Sequence, residues 1–413
     1  MSNNNEKKNL SGDNLEKKEN EVVVSRVDSK GKKVKPKAKK EKKPWTFKRV
    51  CKKILLPIAI ALVVLVGGLY IAFVCYKNHL LNKIHYLPKE ENPTFIDQDG
   101  SIVSLAEYTH ATEHPPVQEE GVHNFLLIGI DSRSKDYSDN GSGSLADVIM
   151  IMSVDEKNAT IKLVTVQRDS YVYIPGYSKP RKINAAMTYG GPTLLSAVIK
   201  EHLRIDLEGF AYVNFYNMEK VIDAVGGIDI EVKKNEVFAQ EGGLNALLRE
   251  QNHILGEPDE TYVLNEYGML HLNGRQAVAY SRIRKVGNGD YGRSERQVKV
   301  LNELLRKFMD MGMTGKVSAL GDILEMIATD LTKDEIEKYA FDFLPKVREL
   351  TLDTMGVPMD GYATTIADAE WSLRPDWNGI IPEVQKFLYG ETYPFDKVEE
   401  IPKAPHHDSD SDS

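Results

Sequence analysis

The sequence predicts an α/β (α+β) domain, a mixed β-sheet packed between helices, held outside a membrane by an N-terminal anchor. Three observations predict it. Short continuous apolar runs alternate with segments of helical period. One run of 23 residues, Ile54 to Tyr76, carries no charge. Charge is also unevenly divided: residues 1–53 hold 18 Lys plus Arg against 7 Asp plus Glu, which leaves 35 against 54 beyond them.

Residues 1–53 are a basic cytoplasmic tail, and 1–45, with almost no large apolar side chains, are expected to be disordered. Ile54–Tyr76 is long enough to span the hydrocarbon of a bilayer as one helix. Lys42, Lys43, Lys48, Arg49, Lys52 and Lys53 precede it, and only Lys77 and Lys83 follow closely. The positive-inside rule therefore places the N-terminus in the cytoplasm and the rest of the chain outside, in a single-pass cell-membrane protein. The run is too long for a cleaved signal peptide and no small-x-small site follows it. Cys51 and Cys75, the two cysteines, lie about 36 Å apart on a helix and cannot bridge. The external part thus folds without a disulfide or a thiolate metal site.

A stalk is expected at 77–120 and a globular domain at 121–390. Asn124–Ile130 and Val148–Val154 read as buried strands, and an Asp-Glu-Lys-Asn turn joins the second to Thr160–Val166 as a hairpin. Gly190-Gly191-Pro192 opens a helix with Leu195, Val198 and Ile199 on its inner face. Phe210–Asn214 is a strand, Tyr216–Val225 a helix closed by Gly226-Gly227 and carrying Val221 and Ile222, and Ile228–Val232 a strand. Leu272–Arg284 and Ser294–Met311 read as helices, the latter with Val298 and Leu301 at helical spacing. Two helices around 316–347, a strand at Leu350–Gly356 and a helix near 376–388 close the domain. The acidic tail 391–413 is expected to be disordered.

The chemistry gathers at element ends. Tyr280 to Gln297 holds Arg282, Arg284, Arg293 and Arg296 about the carboxylate Asp290, with a Gly-Asn-Gly break that lets two arginine-bearing segments converge. Guanidinium groups collected in an acidic body point to a bound anion, since their planar fork pairs with phosphate. Asp131 and Arg133 follow one strand, Asp147 opens the next, and Arg168-Asp169 ends a third. Loops at strand ends are where open sheets bind ligands. Two carboxylates together there suit Mg²⁺ or Mn²⁺.

These segments resemble the LytR-CpsA-Psr family. The likeness rests on Phe-Leu-Leu-Ile-Gly-Ile-Asp-Ser-Arg, Ala-Asp-Val-Ile-Met, Val-Gln-Arg-Asp-Ser-Tyr-Val-Tyr-Ile-Pro-Gly, Lys-Ile-Asn-Ala-Ala-Met-Thr-Tyr-Gly-Gly, Tyr-Ser-Arg-Ile-Arg and Asp-Tyr-Gly-Arg-Ser-Glu-Arg-Gln, in the family's order from residue 122 to about 300. The resemblance implies a phosphotransferase of Gram-positive walls. It would take an anionic glycopolymer (teichoic acid or capsular polysaccharide) from a polyprenyl-pyrophosphate carrier and attach it to peptidoglycan through a phosphodiester.

By position Asp131 and Asp147 match the Mg²⁺-associated aspartates, and Arg168, Arg282 and Arg284 the pyrophosphate-binding arginines. Asp290, Arg293 and Gln297 match further active-site positions. Leu145 stands where the family often has Arg, a loss for which Arg133 is a substitute, and Gln167 stands where Pro is usual. Asp290 or Asp169 is the candidate base for the attacking hydroxyl. Leu195, Val198, Ile199, Val221, Ile222, Val298 and Leu301 are candidates to line a groove for the lipid tail, or equally to pack a core.

Two other activities share the same residues: a pyrophosphatase with water as acceptor, and a non-catalytic binder of lipid-linked polymer. Transcriptional regulation has no support, because the globular part lies outside the membrane and no helix-turn-helix pattern is visible. No nucleic-acid partner is expected.

Overall fold

The computed structural model describes residues 71–90, 92–108, 112–130, 143–287, 289–339, 351–366 and 372–401. The chain divides into two compact units, Met1–Ile71 and Ala72–Ser413, and the sheet and its covering helices belong to the second. The expected span Ile54–Tyr76 lies outside the described residues up to position 70, and the chain is helical from 71 to 81. Among the described residues no helix is long and apolar enough to cross a membrane.

At the centre is a seven-stranded mixed sheet. Its strands are β1 (His85–Tyr86), β2 (Val122–Ile130), β3 (Ala146–Asp155), β4 (Thr160–Val166), β5 (Gly209–Asn214), β6 (Ala328–Thr329) and β7 (Thr351–Val357). Across the sheet they run β1-β6-β5-β2-β3-β4-β7. β2 is parallel to β5 and antiparallel to β3, and β4 is antiparallel to β3 and parallel to β7. The C-terminal ends of β2, β4, β5 and β7 and the start of β3 therefore share one edge.

β2 and β3 are apolar on both faces because both faces are covered. Leu126, Ile128, Ile149 and Ile151 point into a core closed by the helices α1 (Ala185–Leu203) and, late in the chain, Trp377–Tyr389. Phe125, Met150 and Leu163 point the other way, into a smaller core. The β3–β4 hairpin is pinned by Asp155, whose carboxylate accepts from the backbone N–H of Lys157 (2.9 Å) and of Asn158 (3.0 Å). These bonds outweigh the upward push of burial, and the carboxyl is held below its ordinary range.

α1 is broken at Gly190 (φ −149°) and Gly191 (φ 64°). A Cβ at Gly190 would meet the Cβ of Phe95 at 2.7 Å, so the break lets the chain at Phe95 lie against the helix. Pro192 then starts the second helical piece, as its fixed φ favours.

A second apolar cluster is built by α2 (Phe215–Ala224), the antiparallel ribbon Ile228–Val232/Gly268–Leu272, α3 (Lys234–Phe238), α4 (Leu244–Leu255), α5 (Gly274–Ser281) and α6 (Gly289–Asp310). Several boundaries differ from the sequence expectation: α1 begins at Ala185 and α6 at Gly289, and the helices expected around 316–347 are Met313–Glu325 and Lys333–Glu337 with β6 between them, residues 340–347 lying outside the described residues. Leu272 ends the ribbon, paired with Ile228, and the helix starts after Asn273. There the Asn273 side chain accepts from the N–H of Gln276 and Gln276 Oε1 accepts from the N–H of Asn273. The stretch expected as a stalk is woven into the body: Leu80, Leu81 and Ile84 pack on Leu324, β1 joins the sheet, and Phe95 is core. The start of the expected tail also packs, with Val398 buried and its N–H donating to Asn378; residues 402–413 lie outside the described residues.

Candidate anion site at one edge of the sheet

Asp147 sits in a β-bulge. Gly129 pairs with Val148 and Ile130 with Ala146, which leaves Asp147 as the extra residue between them. A bulge redirects a side chain and is common beside functional sites. Asp147 is 7% exposed and accepts from Arg168 Nη1. Arg168 stands just beyond the end of β4, on the strand next to β3. Its Nε lies 3.3 Å from Asp169 Oδ2, and Asp169 Oδ1 accepts from Lys182 Nζ at 2.8 Å. Carboxylates and cations thus alternate along the edge in the order Asp147, Arg168, Asp169, Lys182.

The second arginine segment reaches the same edge. Asn214, the last residue of β5, pairs with Ile130, the last of β2. The next residue, Phe215, carries the guanidinium of Arg282 5.5 Å from its ring centre. β5 and β3 are separated by β2 alone, so two strand spacings, about 10 Å, lie between the Phe215 and Asp147 ends. Arg282 is half-buried and Arg284 exposed. Among the described residues no carboxylate pairs with Arg282.

Arg296 is a fastener. Its side chain is 8% exposed; Nε donates to Glu236 Oε1 (2.8 Å), Nη1 to the carbonyl of Ile283 (3.0 Å) and Nη2 to that of Val286 (2.8 Å). It holds from behind the loop that presents Arg284. Glu236 in turn accepts from the N–H of Lys233. Burial, with Glu236 nearby, pushes the Tyr280 phenol up to about 12, so it stays neutral beside this loop. Arg293 is 1% exposed, the largest of the fully buried side chains, and Gln297 is 6% exposed. Both lie on the inner face of α6, and Gln297 Nε2 has no hydrogen-bond partner among the described residues.

The structure therefore splits the arginine cluster, with Arg282 and Arg284 toward solvent and Arg293 and Arg296 sealed inside. Asp131, Arg133 and the side chain of Asp290 lie outside the described residues. Of the groove candidates, Leu195, Val198, Ile199, Val221 and Ile222 are closed core, whereas Val298 and Leu301 are partly exposed against the smaller core of the sheet. Sequence reading missed Lys182 and Glu236. Lys182 stands in the Lys-Ile-Asn motif, and its signal was proximity to Arg168-Asp169. Glu236 gave none, since only the fold brings it to Arg296.

Residues 89–373, more than half of the chain, match the LytR_cpsA_psr family. The chain belongs to that family. The LytR_cpsA_psr match takes in every site residue named above and leaves out Ile54–Tyr76. A protein of Enterococcus faecalis named polyisoprenyl-teichoic acid–peptidoglycan teichoic acid transferase TagU is 31% identical over 257 residues, 60% of this chain and 76% of the relative. One of the same name from Bacillus anthracis is 28% identical over 314 residues, 75% of this chain and 88% of the relative. Among solved structures, protein gbs0355 from Streptococcus agalactiae has a TM-score of 0.54 at 20% identity, over 68% of this chain and 92% of that one. It shares the fold, a mixed sheet between helices, as the sequence predicts.

Proposed function

We propose that this protein transfers an anionic glycopolymer from a polyprenyl-pyrophosphate carrier to peptidoglycan, forming a phosphodiester. The observation that supports it most is the convergence of Arg168, Lys182 and Arg282 on one sheet edge, in a chain 31% identical over 257 residues to a teichoic acid transferase. In the reaction the oxygen of an acceptor hydroxyl bonds to the sugar-side phosphorus. The bond from that phosphorus to the bridging oxygen breaks, polyprenyl phosphate leaves, and the hydroxyl proton passes to a base. Arg282, Arg284 and Arg168 offset the charge that collects on the phosphates.

Asp290 is the proposed base. Asp169 is engaged by Arg168 and Lys182 and serves to aim Arg168. Mg²⁺ or Mn²⁺ fits the donor chemistry: Asp147, at the start of β3, would give a hard carboxylate oxygen, and Asp131 is the proposed second ligand. Such an ion would supply charge neutralisation for the phosphates. Val298 and Leu301, on the face of α6 toward the sheet, are the proposed seat of the lipid tail. Ile54–Tyr76 is the proposed anchor, with the domain on the outer side.

The test is product analysis with lipid-linked polymer and uncrosslinked peptidoglycan. Polymer joined to the glycan by phosphodiester, with polyprenyl phosphate released, is the expected result. Release of free polymer phosphate at the same rate with or without glycan makes the protein a pyrophosphatase. Binding without turnover makes it a carrier.

A further inference from the structure

A cavity of about 480 Å³ lies between the end of α3, α4 and the loop at 263–265. Phe238, Gln240, Asn245, Arg249, Leu264 and Asn265 line it. Its edge is aromatic. Phe238 is 42% and Tyr267 55% exposed, and the rings meet edge to face at 6.4 Å. Aromatic rings left in water beside a polar cavity are costly to keep and are typical of surfaces that receive a partner with apolar faces. Gln240 and Asn265 are exposed amides, each offering both donors and an acceptor.

The cavity abuts the arginine loop. Glu241, next to Gln240, pairs with Lys285 Nζ. A Cβ at Gly242 would come 2.8 Å from Lys285 Cβ, so the two backbones lie close together. Lys285 adjoins Arg284. Yet the electrostatics change sign across this contact. Residues 239–267 carry Glu241, Glu250, Glu257, Asp259, Glu260 and Glu266 against Arg249, and from α3 Lys234 lies over the Tyr267 ring at 5.8 Å, so acidic groups outnumber basic ones. Arg249 itself is taken by Glu260, with Nε 3.1 Å from Oε1. A polyanion is repelled here, while an uncharged sugar chain is not.

We infer that this cavity is the acceptor subsite: it binds an N-acetylhexosamine glycan strand, with Phe238 and Tyr267 against sugar faces and Gln240 and Asn265 reaching acetamido and hydroxyl groups. This rests on the transferase reading above and names the side of the loop from which the acceptor enters. The cationic edge takes the charged donor and the acidic, aromatic cavity takes the glycan. The two substrates are sorted by charge before they meet at Arg284.

The experiment titrates the full-length protein with N-acetylchitotetraose and, separately, with poly(glycerol phosphate), by calorimetry or saturation-transfer NMR. Saturable binding of the tetrasaccharide at millimolar concentration is expected, weakened at least tenfold in Phe238→Ala and in Tyr267→Ala, with poly(glycerol phosphate) not competing. Both side chains are exposed, so an unchanged melting temperature checks the fold; Gln240→Ala, at a third exposed position, is the second variant. In the transfer assay these variants raise the acceptor KM and leave the donor KM unchanged. No tetrasaccharide binding, binding insensitive to all three substitutions, or competition by the polyanion overturns the inference and leaves the transferase reading standing. Absence of glycan-linked polymer in the product analysis of the wild-type protein overturns the transferase reading itself, whatever the glycan binding shows.

Discussion

The guanidinium of Arg282 lies 5.5 Å from the centre of the Phe215 ring, and by that contact the end of α5 is tied to the end of β5. A ring face holds the cation in place without using up its N–H donors, as a carboxylate would. This suits the role proposed for Arg282, in which its partner would be a phosphate that comes and goes. It also joins the arginine loop to the edge where Asp147 and Arg168 stand.

Arg282→Ala is expected to lower polymer transfer at least tenfold, about 1.4 kcal/mol or more of transition-state stabilisation. Lysine should rescue poorly, since it keeps the charge and loses the paired geometry. Steady-state transfer rates, with melting curves to confirm folding, decide it. Full activity in Arg282→Ala would show a solvated surface.

Asp147→Asn keeps the size and hydrogen bonding of the side chain but removes the charge that Arg168 pairs with and that the proposed divalent cation would need. Transfer should fall, and the magnesium concentration for half-maximal rate should rise. A wild-type rate with unchanged magnesium dependence excludes Asp147 as a ligand.

Arg296→Ala strands the Glu236 carboxylate at 7% exposure and frees the carbonyls of Ile283 and Val286. Loss of one partner of a buried pair costs about 3 kcal/mol or more. Denaturant unfolding should show that loss, and the double variant Arg296→Met with Glu236→Leu should recover much of it.

Gly274→Ala puts a Cβ 1.9 Å from the carbonyl oxygen of Glu219, where backbone rather than a flexible side chain must yield. α2 and α5 are then forced apart, at about 3 kcal/mol. A melting temperature equal to the wild type would mean the two helices are not in this contact in solution.

His202 is buried against Trp377, its Nδ1–H donating to the carbonyl of Val198 at 2.8 Å. Burial, with Arg204 nearby, pushes its pKa down from 6.5 to about 4. The unfolded chain therefore takes up the proton first. The stability it contributes is complete above about pH 6.5 and declines as the pH falls toward 4, by about 2 kcal/mol between pH 7 and 5. The difference in unfolding free energy between wild type and His202→Leu, followed across that range, should show this slope; a constant difference would mean that His202 titrates normally.

Local pattern made much of the fold legible. Thr160–Val166 and Ile228–Val232 are strands to the residue, because each is a short apolar run bounded by turn residues. What failed was set at long range. Leu272 reads as helix by its neighbours but pairs with Ile228, 44 positions earlier. β1 and β6 are two residues each, too short for any period. At the site, the arginines were recognisable as a group but not by direction. α6 begins at Gly289, and from that start positions 293, 296, 297, 300 and 304 fall on one buried face. Taking Val298 and Leu301 for the inner face, and leaving Arg293 outside the helix, hid the inward turn of Arg293 and Arg296.

One helix is attached at both ends of the proposed donor site. Arg296 of α6 grips the loop of Arg284, and about 7.5 Å further along, Leu301 meets the apolar face of the sheet. A rigid helix with two such attachments is a lever. Prising its middle away from the sheet must tilt the loop at its end. A carrier tail too short to reach Leu301 would then be felt as a slackened hold on the phosphates, so that the length of a hydrocarbon is reported in the handling of charge.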